Sequence, residues 1–257
     1  MDGNAEQGKE GVARAFGDLV RLSGVHKYYS GGSAGVHALN GIDLQLGAGE
    51  IVSVCGPSGS GKTSLLSLIG MLEAPTEGSV VIASLLTGKL SEQARAELRA
   101  DTIGMVFQAF TLIPVLSVRE NVLLPLKLRG QPDGDTWQAV HARADELLAQ
   151  LGLSTMADHF PRDLDPSQSQ RVAIARALIG RPRLVLADEP GSRLDGAGIR
   201  MTMDLFAREQ AAHGTAFLVS TRDQRQLSRV TRTLQLSDGR LQNVVTTSSR
   251  KPFRAEV

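Results

Sequence analysis

Cysteine is almost missing from this sequence. Cys55 is the only one among 257 residues, so neither an intramolecular disulfide nor a multi-cysteine metal site is available. A charge excess is missing too. The 28 Lys and Arg face 27 Asp and Glu, and the resulting net charge of +1 argues against a dedicated nucleic-acid binder. No stretch approaches the roughly 18 consecutive apolar residues that a membrane span needs. Met1 to Gly11 carry Asp2, Glu6 and Glu10 with no apolar core, unlike a signal peptide. His26, His37, His141, His159 and His213 are scattered without metal-ligand spacing, and no internal repeat is visible. With 42% apolar and 21% charged residues, the composition is that of a soluble, cytoplasmic α/β protein of one large or two small domains.

Between a polar N-terminal arm (residues 1–17) and a polar, basic tail (246–257), strand-like runs alternate with helical stretches. Leu19–Leu22, Ile42–Leu46, Ile51–Cys55, Val80–Ala83, Ile103–Phe107, Leu184–Ala187, Ala216–Val219, Thr233–Leu236 and Leu241–Val245 read as strands. Lys62–Leu72, Thr136–Leu151 and Ser169–Ile179 read as helices, and Ser237-Asp238-Gly239-Arg240 as a turn. The order predicts an α/β domain over residues 18–245. It combines a mostly parallel sheet, an antiparallel β flank and a helical subdomain over about 117–180. Trp137 is expected to pack at a helix start and Cys55 to be a small buried side chain. Arg250, Lys251, Phe253 and Arg254 read as a solvated tail.

The strongest local signal is Gly56-Pro57-Ser58-Gly59-Ser60-Gly61-Lys62-Thr63, a complete P-loop pattern. It follows an apolar run and opens a helix that continues with Ser64. Backbone N–H groups around the glycines suit a polyphosphate, and the helix N-terminus adds positive potential. Lys62 is expected to reach the β and γ phosphates and Thr63 to ligate Mg²⁺. A second half-site is expected on a buried strand ending in acid, and Leu184-Val185-Leu186-Ala187-Asp188-Glu189-Pro190 supplies it. There Asp188 suits Mg²⁺ and Glu189 suits a general base for an attacking water.

With these motifs the chain, from Leu19 to Val245, resembles the nucleotide-binding subunits of ATP-binding cassette (ABC) transporters. The resemblance implies the ABC ATPase fold, ATP and Mg²⁺ as ligands, ATP-dependent dimerisation with a second cassette subunit (identical or not), and hydrolysis that drives a membrane permease. It implies that Gln108 touches Mg²⁺ and couples to the membrane subunit, that Leu194-Asp195 is the D-loop, and that Tyr29 stacks on adenine, with Tyr28 as the alternative. Val36-His37-Ala38-Leu39, Glu120-Asn121-Val122, Leu124-Pro125-Leu126 and Arg171–Leu178 are similar to the lipoprotein-releasing and macrolide-efflux branch. That branch implies permeases with periplasmic domains and a chain lying on the cytoplasmic face of the inner membrane. By the same resemblance, some of Leu112, Ile113, Leu116, Val122 and Leu123 line the groove for the permease's coupling helix.

Two family positions depart from the pattern. Where the family's Leu-Ser-Gly-Gly-Gln signature offers a hydroxyl and glycine amides to the other subunit's γ-phosphate, this chain has Leu164-Asp165-Pro166-Ser167-Gln168. Asp165 puts a carboxylate before a phosphate, Pro166 has no N–H, and Ser167 adds a side chain where close approach is needed. Asp-Pro-Ser is still a sound helix start. The family's switch histidine is replaced by Arg222, and guanidinium donates hydrogen bonds but accepts none. Gly191 and Arg193 also alter the D-loop surroundings. Nucleotide binding with slow or asymmetric turnover is the expectation, and a subunit that binds ATP without productive turnover is the alternative.

Overall fold

The computed structural model describes residues 18–30, 35–109, 111–130, 136–222 and 229–246. The N-terminal arm, the tail beyond Thr246 with its basic cluster, and Asp223 lie outside the described residues.

Two sheets organise the chain. An antiparallel sheet has the order β2-β1-β4-β5, with β1 Asp18–Tyr29, β2 Val36–Gly47, β4 Glu77–Ile82 and β5 Leu85–Leu86. The second sheet has six strands in the order β10-β9-β3-β8-β7-β6. These are β3 Ile51–Cys55, β6 Ile103–Val106, β7 Leu184–Ala187, β8 Ala216–Thr221, β9 Arg232–Ser237 and β10 Arg240–Thr246. All its neighbours pair in parallel except β10 with β9, which are joined through the Asp238-Gly239 turn.

The central parallel strands β3, β6, β7 and β8 are mostly apolar because both of their faces are covered. Ile51, Val185, Ala187, Phe217 and Val219 belong to one buried cluster, shared with α3 (Val118–Arg129), α4 (Trp137–Gln150), α5 (Pro166–Leu178) and α6 (Gly196–His213). Their alternates Val52, Val54, Leu184, Leu186 and Leu218 face the opposite cluster, built with α1 (Lys62–Ile69) and the antiparallel sheet. The period of two along each strand thus splits the core into two layers. The helical segment expected over about 117–180 contains α3 to α5, which share their apolar cluster with the sheet. A buried ion pair ties that layer to α6: Arg143 donates to Glu209 at 2.8 Å and also to the Leu178 and Ile179 carbonyls at the end of α5.

Several elements differ from expectation for local reasons. β1 is a 12-residue strand, longer than Leu19–Leu22, because Gly24 adopts φ 53° and register shifts let the strand continue past it. α1 stops at Ile69 instead of Leu72, since Gly70 caps it and Met71 turns to φ 55°. α5 begins at Pro166, three residues before Ser169, because Asp165 caps it. α3, inside the expected helical segment, forms across Pro125, and α6 forms where no helix is expected, with Gly196 and Gly198 in its own first turn. α2 (Glu92–Thr102), capped by Ser91, fills the polar segment between β5 and β6.

Candidate nucleotide site

The carboxyl ends of β3, β6, β7 and β8 lie side by side in the parallel sheet. The chain leaving them carries Gly56–Thr63, Gln108, Asp188-Glu189 and Arg222, respectively. This edge of a parallel α/β sheet is where ligands bind, because the loops there converge on one crevice.

The Gly56–Thr63 loop is closely walled. Gly61 adopts φ 102°, and a Cβ there would lie 2.4 Å from the Ala38 carbonyl oxygen. A Cβ on Gly56 would lie 2.1 Å from the Leu236 carbonyl oxygen, so both positions exclude a side chain. Gly239 N–H donates to the Ser60 carbonyl at 3.1 Å and pins the loop to the β9–β10 turn. The α1 N-terminus that follows has no side-chain cap and no acid in its first turn. Its amides and positive end are therefore unmasked, as an anion site requires. Ser60 Oγ is buried without a hydrogen-bond partner.

Lys62 is 5% exposed, and its Nζ donates to the Gly56 and Pro57 carbonyls at 2.8 Å each. The ammonium is thus folded against its own loop, 4.0 Å from Glu189 Oε1. Thr63 Oγ1 donates to Asp188 Oδ2 at 2.8 Å, joining the loop to the end of β7. A hydroxyl and a carboxylate held this close form a hard-oxygen pair that fits Mg²⁺, which prefers oxygen ligands and keeps several waters. Ser220, fully buried at the end of β8, completes the corner. Its Oγ donates to Asp188 Oδ1 at 2.5 Å and accepts from the Glu189 N–H at 2.8 Å. Sequence reasoning assigned Ser220 no role; the only signal was its place directly after the Ala216–Val219 run.

Glu189 is the most crowded group. Its backbone sits in the left-handed region at φ 46°, a conformation that a non-glycine residue adopts at a cost and that clusters at functional sites. Arg222 Nε donates to Oε1 at 2.8 Å and Oε2 at 3.0 Å, while Nη2 donates to Oε2 at 2.7 Å. Gln108 Nε2 donates to Oε2 at 3.3 Å, so the amide of Gln108 meets Glu189 in this arrangement. The Arg222 hydrogen bonds hold the Glu189 carboxyl below the usual glutamate range. They act against burial, and the charges of Arg222 and Lys62 add to them.

Asn121 organises the stretch after Gln108. Its buried side chain accepts from Ile113 N–H and donates to the carbonyls of Ile113, Leu116 and Ser117. Of the two tyrosines, Tyr29 touches the loop helix. Its hydroxyl donates to Glu73 Oε2 at 2.8 Å and accepts from the Ser64 hydroxyl at 3.3 Å, with the Lys27 ammonium 5.0 Å from the ring centre. Tyr28, half exposed, stacks instead on His37 with ring centres 4.1 Å apart.

At the start of α5, Asp165 Oδ1 accepts from Gln168 N–H at 2.7 Å and Gln168 Oε1 accepts from Asp165 N–H at 2.9 Å. With Pro166 as the first helical residue, this closed capping box fills the helix start with the chain's own carboxylate. Leu164 packs partly against the core and Ser167 donates no side-chain cap. Leu194 packs against the same cluster, and Asp195 caps α6 by accepting from Gly198 N–H at 2.7 Å.

A cavity of about 430 Å³ lies between α2, β6, α3 and α5. Leu72, Phe107, Leu124, Pro125, Leu128 and Arg129 are among its lining residues. Val122 and Leu123 are buried in the core, Leu112 packs against it, and none of the expected five lines the cavity. The helical period turns 122, 123 and 126 inward and leaves 124, 125 and 128 on the other side of α3.

Residues 39–192 match the family model described as ABC transporter. The lipoprotein-releasing system ATP-binding protein LolD 1 of Caulobacter vibrioides is 41% identical over 224 residues, covering 87% of this chain and 94% of that protein. LolD of Anaeromyxobacter dehalogenans is 43% identical over 223 residues, covering 86% and 92%. Among solved structures, a dimeric post-hydrolysis state of the ATP-binding cassette MJ0796 bound to ADP and Pi superposes with a TM-score of 0.84. It is 37% identical, and the match covers 90% of this chain and all of that one.

Proposed function

Because the chain belongs to the ABC transporter family, as an ATP-binding, ATP-hydrolysing subunit with the ABC ATPase fold, we propose that it powers a lipoprotein-releasing membrane complex from the cytoplasmic face of the inner membrane. The name borne by its LolD relatives supports the choice of cargo class. The carrying observation is the join between the phosphate loop and the end of β7: Thr63 on Asp188 at 2.8 Å, with Glu189 next in the chain and 4.0 Å from Lys62.

In this reading Gly56 to Ser64 cradle the phosphates of ATP, Lys62 clamps the β and γ phosphates, and Tyr29 takes the adenine. Thr63 and Asp188 hold Mg²⁺, with Gln108 joining them once its amide leaves Glu189. Bound there, Mg²⁺ neutralises charge that develops on the phosphates. Glu189 accepts the proton of the attacking water. A second cassette, identical or not, closes over the nucleotide, with Leu164–Gln168 and Leu194-Asp195 facing it. The capping box of Asp165 and the engagement of Glu189 by Arg222 make the turnover of a symmetric pair slow.

The cavity beside α3 receives the permease, whose periplasmic domains handle the cargo. Among the described residues no helix is long and apolar enough to cross a membrane, so attachment runs through such a surface. Leu128 is 78% exposed at its edge and belongs to no buried cluster. The test is sedimentation with inner membranes that contain the permease. The wild-type chain is expected to pellet, and Leu128→Glu to lower the bound fraction by about tenfold with unchanged ATP affinity. A wild-type chain that stays in the supernatant, or a Leu128→Glu variant that pellets equally, would contradict the reading.

A further inference from the structure

We propose that Arg222 is a latch on Glu189, closed in the nucleotide-free chain and opened by the terminal phosphate of a nucleoside triphosphate. This rests on the reading of Glu189 as the base. A carboxylate has about four lone-pair positions. Arg222 engages both oxygens through three contacts of 2.7 to 3.0 Å, and Gln108 takes a further place on Oε2. Lys62 stands 4.0 Å from Oε1, and the Glu189 side chain is only 11% exposed. A water that must hand its proton to Glu189 has to displace one of these donors first.

The two ends of the latch are unequally held. Glu189 is fixed by its N–H on the buried Ser220 hydroxyl and by the left-handed turn at φ 46°. Arg222 follows the last residue of β8, and its side chain is 57% exposed, so it is the partner free to swing. A planar guanidinium matches phosphate as well as carboxylate, with two parallel N–H donors. Lys62, 4.0 Å from Glu189, is the loop residue that meets the terminal phosphate. A triphosphate seated on Lys62 therefore arrives beside the ion pair and draws Arg222 off the carboxylate; a diphosphate stops short. With Glu189 released, the water oxygen bonds to the γ-phosphorus and its proton passes to a Glu189 oxygen. The bond from the γ-phosphorus to the bridging oxygen breaks, and ADP leaves with the electron pair. A histidine at position 222 has no fork with which to close such a latch.

The test compares the full chain with Arg222→His, with and without Glu189→Gln. Each is measured in the natural background and in one carrying Asp165→Ser and Pro166→Gly, so that a slow signature cannot hide a gain. Arg222→His is expected to raise kcat by about tenfold or more in at least one background, with ADP affinity held within about twofold as evidence of an intact fold. A kcat that falls or stays level in both backgrounds overturns the latch. Activity in Arg222→His that survives Glu189→Gln instead overturns the base assignment beneath it. Melting temperatures without nucleotide give a second, turnover-independent reading. If the pair is closed, Arg222→Ala combined with Glu189→Gln melts no lower than the less stable single variant. Strictly additive losses would mean that the pair does not form.

Discussion

Restoring serine at position 165 and glycine at position 166 is expected to raise ATP turnover by the paired cassettes by up to about a thousandfold. In the proposed dimer the start of α5 faces the γ-phosphate of the other subunit. Two unit charges about 4 Å apart repel by roughly 4 kcal/mol at an effective dielectric near 20. That energy is about three powers of ten in affinity. Asp165 is not a loose acid that can turn away, because its Oδ1 is committed to the Gln168 N–H at 2.7 Å. The same contact shows why the helix tolerates the substitution, since aspartate and serine cap about equally well. Asp165→Ser alone should therefore leave the melting temperature nearly unchanged while removing the charge. Pro166→Gly restores an N–H to the first turn but gives up the preset proline φ. Asp165→Asn separates the two ideas: it keeps a cap and removes only the charge, and it should recover most of the gain. Turnover that stays flat across all three would mean that the signature carboxylate never meets a phosphate.

Lys62→Ala is expected to weaken Mg-ATP binding by about a hundredfold, the loss of two charge-assisted hydrogen bonds of about 1.5 kcal/mol each. The side chain is 5% exposed and already bonded to two loop carbonyls at 2.8 Å, so its charge sits where a phosphate must displace it. Removing it also takes one donor each from the Gly56 and Pro57 carbonyls, of which Pro57 keeps the Ser60 N–H at 3.3 Å. The binding measurement, by titration calorimetry, must therefore be paired with a melting curve. Affinity within a few-fold of wild type would place the nucleotide elsewhere.

How far the site could be read in advance depended on how local its signals are. The phosphate loop and Asp188-Glu189 are contiguous stretches whose chemistry follows from short-range pattern, and the structure brings them together through Thr63 and Asp188. The contact of Arg222 with Glu189 was invisible because the two residues are 33 apart. It arises only because β7 and β8 are neighbours in the sheet. The same holds for Ser220, an unremarked strand-end hydroxyl until it meets both Asp188 and Glu189. In the fold, the parallel strands were legible as short apolar runs. The length of β1 was not, since Gly24 and the register shifts interrupt its alternation. α6 escaped because it opens with two glycines and places Thr202 and Glu209 on its buried side, where a helical period would need apolar residues. α3 falls inside the helical segment expected over about 117–180, but Pro125 within it hid its bounds.

The central claim is that this chain hydrolyses ATP through Glu189, slowed by its own signature and switch. Steady-state ATP hydrolysis by the purified chain, measured beside Glu189→Gln with Mg-ATP binding followed in parallel, tests it most directly. The account predicts low but measurable wild-type turnover that Glu189→Gln cuts by about a hundredfold or more, with ATP still bound. A Glu189→Gln variant that hydrolyses ATP as fast as the wild type, or a wild type that binds ATP with no turnover at all, would contradict it.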